Sequence, residues 1–304
     1  MKQKQQFTKR QHFIPQFSIR PFEVAKGKCL IIDLKKKPLE VSIKKTADIM
    51  QEIDLYESKD SEGNYINRNE IEDLYSKFEN DISKKFKSLI ELLLSNKSTS
   101  DFLRMIKTNE WPSNEAALLS HIALTLIRSP YIKKLFYDND NIPLFMKSIM
   151  YRQIIGSQMM AVEHAKSHLN GEELEIALHV LKGNSDSGIQ VILEHLMNNY
   201  QLEIYMSEGK GNFFLGDNPI LVNKFEDIDY LIPIAPSLCL GTTKLRLQNN
   251  RVLIKSNFNI VDDNMVRKIN HLTLRNARQT VIVSTKKDLD IVKQFDSHLI
   301  GERQ

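Results

Sequence analysis

Four stretches of the 304-residue chain combine reactive side chains with a restricted backbone. In His12-Phe-Ile-Pro15-Gln16-Phe-Ser-Ile-Arg20-Pro-Phe22, the prolines limit the backbone and the aromatics favour partial burial. His12, Gln16 and Arg20 are spaced by four, so helical turns there would bring them to one side. Glu72 and Glu79 lie seven apart in an amphipathic stretch, which places both carboxylates on one helical face, two turns apart. Arg128 ends the apolar run LTLIRSP. A partly buried guanidinium needs an anionic partner, and Glu79 would serve. Phe213-Phe-Leu-Gly-Asp217-Asn218-Pro219 runs an apolar strand into a turn whose Asp and Asn side chains can bond their own backbone.

If these groups converge, a histidine with carboxylates can perform general acid–base work, and an arginine can stabilise developing phosphate charge. The best-fitting reaction is hydrolysis of a phosphodiester polyanion, RNA or DNA, with His12, Glu79, Arg128 and Asp217 as catalytic groups and Gln16, Arg20, Glu72 and Asn218 binding substrate. A nuclease of this kind would suit a toxin or a phage-defence effector. Two other readings use the same residues. In one, they clamp a nucleotide or protein ligand without turnover. In the other, they form a buried network that holds the N-terminus to the rest of the chain, since buried polar groups must find partners.

Composition narrows the field. Hydrophobic content of 41% and charged content of 26% are ordinary for a globular protein, which excludes wholesale disorder. The net charge of +4 hides an uneven split. Residues 1–50 hold 12 basic and 4 acidic side chains, a net of +8; the other 30 basic and 34 acidic residues leave −4. Such asymmetry suits a polyanion partner, an internal electrostatic match, or a solvated hairpin with Lys35, Lys36 and Lys37 at its turn. Cys29 and Cys239 each sit in an apolar run and read as buried free thiols. There is no apolar signal segment, and no run approaches the 18 or so apolar residues of a membrane span. The expectation is a cytoplasmic protein without a membrane partner. No Walker A loop, dinucleotide fingerprint or H-E-x-x-H helix is present, so no cofactor is implied. His164 and His168, beside Glu163, have ligand spacing but no third ligand in register, and read as a surface pair rather than a metal site. Met146, Met150, Met159 and Met160 read as core filler.

The elements that must position these residues follow from periodicity. KCLIIDL (28–34) and LEVSIK (39–44) predict a hairpin. A three-and-four spacing of apolar residues predicts a helix over 69–94. Asp101 can cap a short helix through Lys107, and Ser113 a longer one to Arg128. Residues 144–168 and 172–199 read as further helices, the second split by the glycines of 181–188. After Tyr200 the chain turns β-rich, with a helix over 261–277, a strand over 279–285 and a closing helix over 287–299. The order predicts an α+β fold: an N-terminal β hairpin, a central multi-helix block (about 69–200), and a mostly antiparallel sheet (about 201–286) with closing helices. Without a clear linker, residues 1–304 read as a single integrated domain.

At this point the motifs form a series. R-Q-H-F-I-P-Q-F-x-I-R-x-F resembles the opening signature of the family catalogued as domain of unknown function 4238, and the lysine-turned hairpin looks like the family's. Glu72 and Glu79 resemble its paired glutamates, Arg128-Ser-Pro130 its R-x-P, and F-F-L-G-D-N-P its F-x-x-S-D-N-P with Gly216 in place of serine. Asn270 through Ser284 resembles its closing N-x-x-x-x-x-x-A…S element, which adds Asn270 to the candidate ligand-binding residues. The resemblance spans about residues 8–286 and implies no particular reaction.

Overall fold

The computed structural model describes residues 7–59, 63–66, 68–95, 98–182, 188–225, 227–245, 247–248, 251–252 and 256–302. The segment 1–6, expected to fray, and most of the glycine-bearing stretch 181–188 lie outside the described residues.

Strand β1 (Arg10–His12) opens the described chain, followed by a single helical turn α1 (Gln16–Ile19). The expected hairpin forms from β2 (Lys28–Asp33) and β3 (Val41–Lys45). β4 (Gln51–Ile53) returns to pair with β1, and β5 (Ser58–Lys59) and β6 (Tyr65–Ile66) make a small ladder. The helical block follows: α2 (Glu70–Ser95), α3 (Thr99–Met105), α4 (Trp111–Ile127), α5 (Pro130–Tyr137), α6 (Leu144–Ile155), α7 (Gln158–His168), α8 (Gly171–Val180) and α9 (Gly188–Asn199). Next come β7 (Tyr200–Ser207), β8 (Leu215–Gly216), β9 (Leu221–Phe225), β10 (Ile228–Ala235), β11 (Leu238–Lys244), β12 (Leu247–Gln248), β13 (Arg251–Val252) and β14 (Ser256–Val261). Helix α10 (Asp263–Asn276), β15 (Thr280–Val283) and α11 (Asp288–Glu302) close the chain. The fold is α+β.

α2 forms because Ile71, Tyr75, Phe86, Leu89, Ile90 and Leu93 give it one buried stripe, while Glu70, Glu72 and Asp73 favour the positive end of its dipole. α4 is apolar almost all round and lies in the main core. It begins at Trp111, before the expected cap Ser113, because Pro112 is suited to a first turn. Similarly, α3 is capped by the Ser98 side chain, which accepts from the Asp101 amide at 3.2 Å. The expected helix over 144–168 is two helices, broken at Gly156, after which Ser157 caps α7. Gly188 opens α9 against the end of α6, where a Cβ would stand 1.8 Å from the Ile154 carbonyl oxygen; only glycine permits that approach.

Two larger sheets organise the rest. β14-β7-β11-β10-β9 is antiparallel except for the parallel β14–β7 pair. The other, β3-β2-β15-β8, joins the two ends of the chain: the N-terminal hairpin pairs antiparallel with β15, Leu30 opposite Val283 and Asp33 opposite Thr280. Phe13, Ile14, Phe17, Ile19 and Phe22 enter the main core with the helices and the Leu202–Ile204 face of the five-stranded sheet. Cys29 and Cys239 are buried free thiols. Met146 and Met160 are core residues, but Met159, expected as core filler, is exposed. No described helix is long and apolar enough to cross a membrane.

Candidate functional site

The residues singled out by sequence lie in three places. The first is a buried network around Arg128, which caps the C-terminus of α4 with only 1% of its surface exposed. Its guanidinium donates to Glu79 of α2, as expected, and to the His12 main-chain carbonyl. Nε also donates to the Tyr56 hydroxyl at 3.0 Å. The Tyr75 and Tyr56 rings lie 4.8 and 5.6 Å from the guanidinium carbon. Burial works against the charge, but Tyr56, Glu79, Glu72 and Tyr75 outweigh it and keep the guanidinium's pKa above its ordinary value.

Glu72 shares the α2 face with Glu79, yet its Oε2 is buried without a hydrogen bond among the described residues. Burial pushes its pKa up to about 7; the Arg128 charge opposes this and Glu79 reinforces it. The His12 ring takes no part in holding Arg128. Its Nε2 is buried without a hydrogen-bond partner among the described residues, and burial, then the Arg128 charge, lowers its pKa. Gln11, which sequence reasoning missed, is fully buried. Its amide donates to Glu57 at 2.6 Å and accepts from the Tyr56 amide at 2.8 Å, and Glu57 accepts from the Asn69 amide at the start of α2. β1, the 54–57 turn, α2 and α4 are thereby joined through polar contacts. A second such pair, Arg152 with Glu70 at 2.6 Å, was also missed; α2 thus holds two buried arginines by two of its carboxylates.

The second place is the Asp217-Asn-Pro219 turn. The Asp217 carboxylate accepts from the backbone amides of Arg278, Gln279 and Thr280 at 2.6, 2.9 and 3.0 Å. Asn270 clasps the same segment from α10, accepting from the Phe214 amide at 2.9 Å and donating to the Asn212 carbonyl at 2.8 Å. Asn276, also missed, donates to the carbonyls of Asn218 and Ile220. Gly216 fits tightly, since a Cβ would come 3.3 Å from Ala277 and Thr273. Asp217 and Asn270 therefore tie β8, α10 and β15 together. The Asn218 side chain makes no hydrogen bond among the described residues.

The third place is α1. His12 sits on a strand while Gln16 begins a helical turn, so the interval of four does not set them on one helical face. Arg20 is exposed, and neither it nor Gln16 joins the Arg128 network. His164 is buried rather than on the surface, with Nε2 3.2 Å from Ser148 Oγ and its ring 4.8 Å from His168. Among the described residues, no three His, Cys, Asp or Glu gather as metal ligands.

Two adjoining clefts lie over these frameworks. A groove of about 1080 Å³ is lined by Arg10, Lys35, Lys44, Lys134 and Arg278, with Phe13, Ile31, Ile49, Met50 and Ile53 as apolar lining. Arg10 pairs with Asp48 at 3.4 Å and Arg278 with Glu52 at 3.3 Å. Lys35, Lys44 and Lys134 form no ion pair among the described residues. A smaller pocket of about 390 Å³ lies between the Ser129-Pro130 and Asp217-Asn218-Pro219 segments, and shares Phe13 and Asp217 with the groove. No curated protein and no solved structure matches the chain. A family model does, over residues 10–287, nearly the span that the ordered motifs marked out, and the chain belongs to that family, described as protein of unknown function (DUF4238).

Proposed function

We propose that the protein binds single-stranded nucleic acid in the groove, without turning it over. The observation that carries this reading is the trio Lys35, Lys44 and Lys134, three cations without an ion pair among the described residues, beside an apolar lining. Ammonium groups that no carboxylate neutralises attract phosphates. The 72%-exposed Ile53 offers a surface to an unstacked base, which a duplex would keep inside.

Binding fits better than hydrolysis because Arg128, Glu79 and Asp217 are already engaged within the fold and the His12 ring lies away from the groove. Arg128 spends its donors on Glu79, Tyr56 and the His12 carbonyl. Asp217 accepts from three backbone amides, and the His12 ring does not line the groove. A general base must reach the proton it removes, and Asp217, the one of these that lines the groove, already has its carboxylate held by those amides.

The test is fluorescence anisotropy with labelled single-stranded oligonucleotides at low salt, with mass spectrometry of the recovered strand, with and without Mg²⁺ or Mn²⁺. Binding of an intact strand, lost on combined Lys35→Glu, Lys44→Glu and Lys134→Glu substitution, is expected. Absence of binding, or equal binding by the triple variant, would overturn the reading. Cleaved product would restore hydrolysis.

A further inference from the structure

We propose that the smaller pocket receives one nucleobase of the bound strand and that the Asn218 side-chain amide reads its hydrogen-bonding edge; this rests on the nucleic-acid reading of the groove. At about 390 Å³ the pocket is at the small end of ligand sites, suited to one planar ring system rather than a peptide segment. Its walls are apolar and stiff: Phe13, Ile14, Pro130, Pro219 and Ile220. Tyr131 lines it with 62% of its surface exposed, an aromatic face available for stacking.

The polar groups of the pocket differ in their commitments. Asp217 is held by backbone amides, and Lys224 donates to Asn276 at 2.6 Å. Asn276 itself holds the Asn218 and Ile220 carbonyls. The Asn218 amide alone among these four side chains has no hydrogen bond among the described residues, and it offers one acceptor and two donors. A carboxamide presents the paired donor and acceptor that a base edge matches.

Continuity connects the two clefts. Phe13 and Asp217 belong to both, and the Arg278 guanidinium lies 5.2 Å from the Phe13 ring centre. A backbone phosphate near Arg278 could replace Glu52 in its exposed ion pair, while the attached base turns into the pocket.

The experiment measures binding of two labelled strands of equal length, thymidine homopolymer and its fully abasic counterpart, by wild type, Asn218→Ala and Val222→Trp. Val222 lines the pocket from an exposed position on β9, so a tryptophan there would obstruct the pocket without entering the core. Thermal melting checks that each variant is folded. Wild type should prefer the base-bearing strand by at least about tenfold, and Val222→Trp should cut that preference to the smaller share that Ile53 of the groove supplies, while keeping the abasic affinity. Asn218→Ala removes a side chain that makes no hydrogen bond among the described residues, so it should stay folded, keep the abasic affinity and lose part of the preference for the thymidine strand. Equal binding of both strands by wild type, or a preference unchanged in both variants, overturns the pocket while leaving the groove intact. Failure to bind either strand overturns both.

Discussion

A charged side chain with 1% exposure persists only when its surroundings replace water, and Arg128 shows how this is done. Its partners are one carboxylate, one phenol and one backbone carbonyl. Arg128→Ala would strand the Glu79 carboxylate and leave the Tyr56 hydroxyl short of a donor. We expect a loss of about 3–5 kcal/mol in urea denaturation, with no dependence on added oligonucleotide. The residue types disclosed the Arg128–Glu79 pair, because a buried guanidinium demands an anion. They could not disclose that His12 contributes its carbonyl, since every residue has one. Glu72 carries the second prediction. Its pKa rises from the ordinary carboxylate value to about 7. Below pH 4.5 it is protonated, folded or unfolded, and contributes no difference. Between 4.5 and 7 the unfolded chain releases a proton that the folded chain keeps, so this group makes stability fall as pH rises. Glu72→Gln should therefore match wild type near pH 4 and exceed it by about 2 kcal/mol at pH 8, in chemical denaturation across that range.

At the scale of elements, the Asp217 turn acts as a joint. Its carboxylate supplies acceptors to three consecutive backbone amides at the entry to β15, the strand that receives the N-terminal hairpin. Asp217→Ala leaves those amides without that acceptor and should cost about 3–4 kcal/mol. Asp217→Asn keeps one acceptor oxygen but sets a donor against a donor, and should cost about 1–2 kcal/mol. Urea midpoints should order wild type, Asn and Ala accordingly; equal midpoints for all three would remove the joint from the account. Local patterns revealed the hairpin, α2, α10 and the closing helix, because apolar period and capping are written within each segment. They did not reveal that β15 inserts between β2 and β8, or that β14 runs parallel to β7, since strand partners far apart in sequence leave no local mark. Similarly, the break at Gly156 depends on the tertiary contact with Gly188, whose amide donates to the Gly156 carbonyl at 3.2 Å.

For the whole molecule, the split between a +8 opening segment and a −4 remainder bears on an internal tie and on the proposed external role. Lys37 pairs with Asp296 of α11, so part of the basic segment does tie the N-terminus to the acidic remainder. Arg10 is occupied by Asp48 within the segment itself. Lys35 and Lys44 face the groove with Lys134 from the helical block, without ion pairs among the described residues, and in the proposed function they meet an external partner. Salt separates these roles quantitatively. Each phosphate neutralised by a lysine releases condensed counterion, and for single strands the slope of log K against log salt falls by about 0.7 per contact. Wild type should therefore show a slope steeper by about 2 than a triple Lys→Ala variant at these positions, which keeps weak binding, measured by anisotropy from about 20 to 200 mM salt. A triple variant that binds more weakly with an unchanged slope would mean that these lysines act through the fold, not through phosphates. An internal tie such as Lys37–Asp296 makes the opposite prediction: Lys37→Ala should leave the slope unchanged and alter stability by no more than about 1 kcal/mol, as expected for a partly exposed pair.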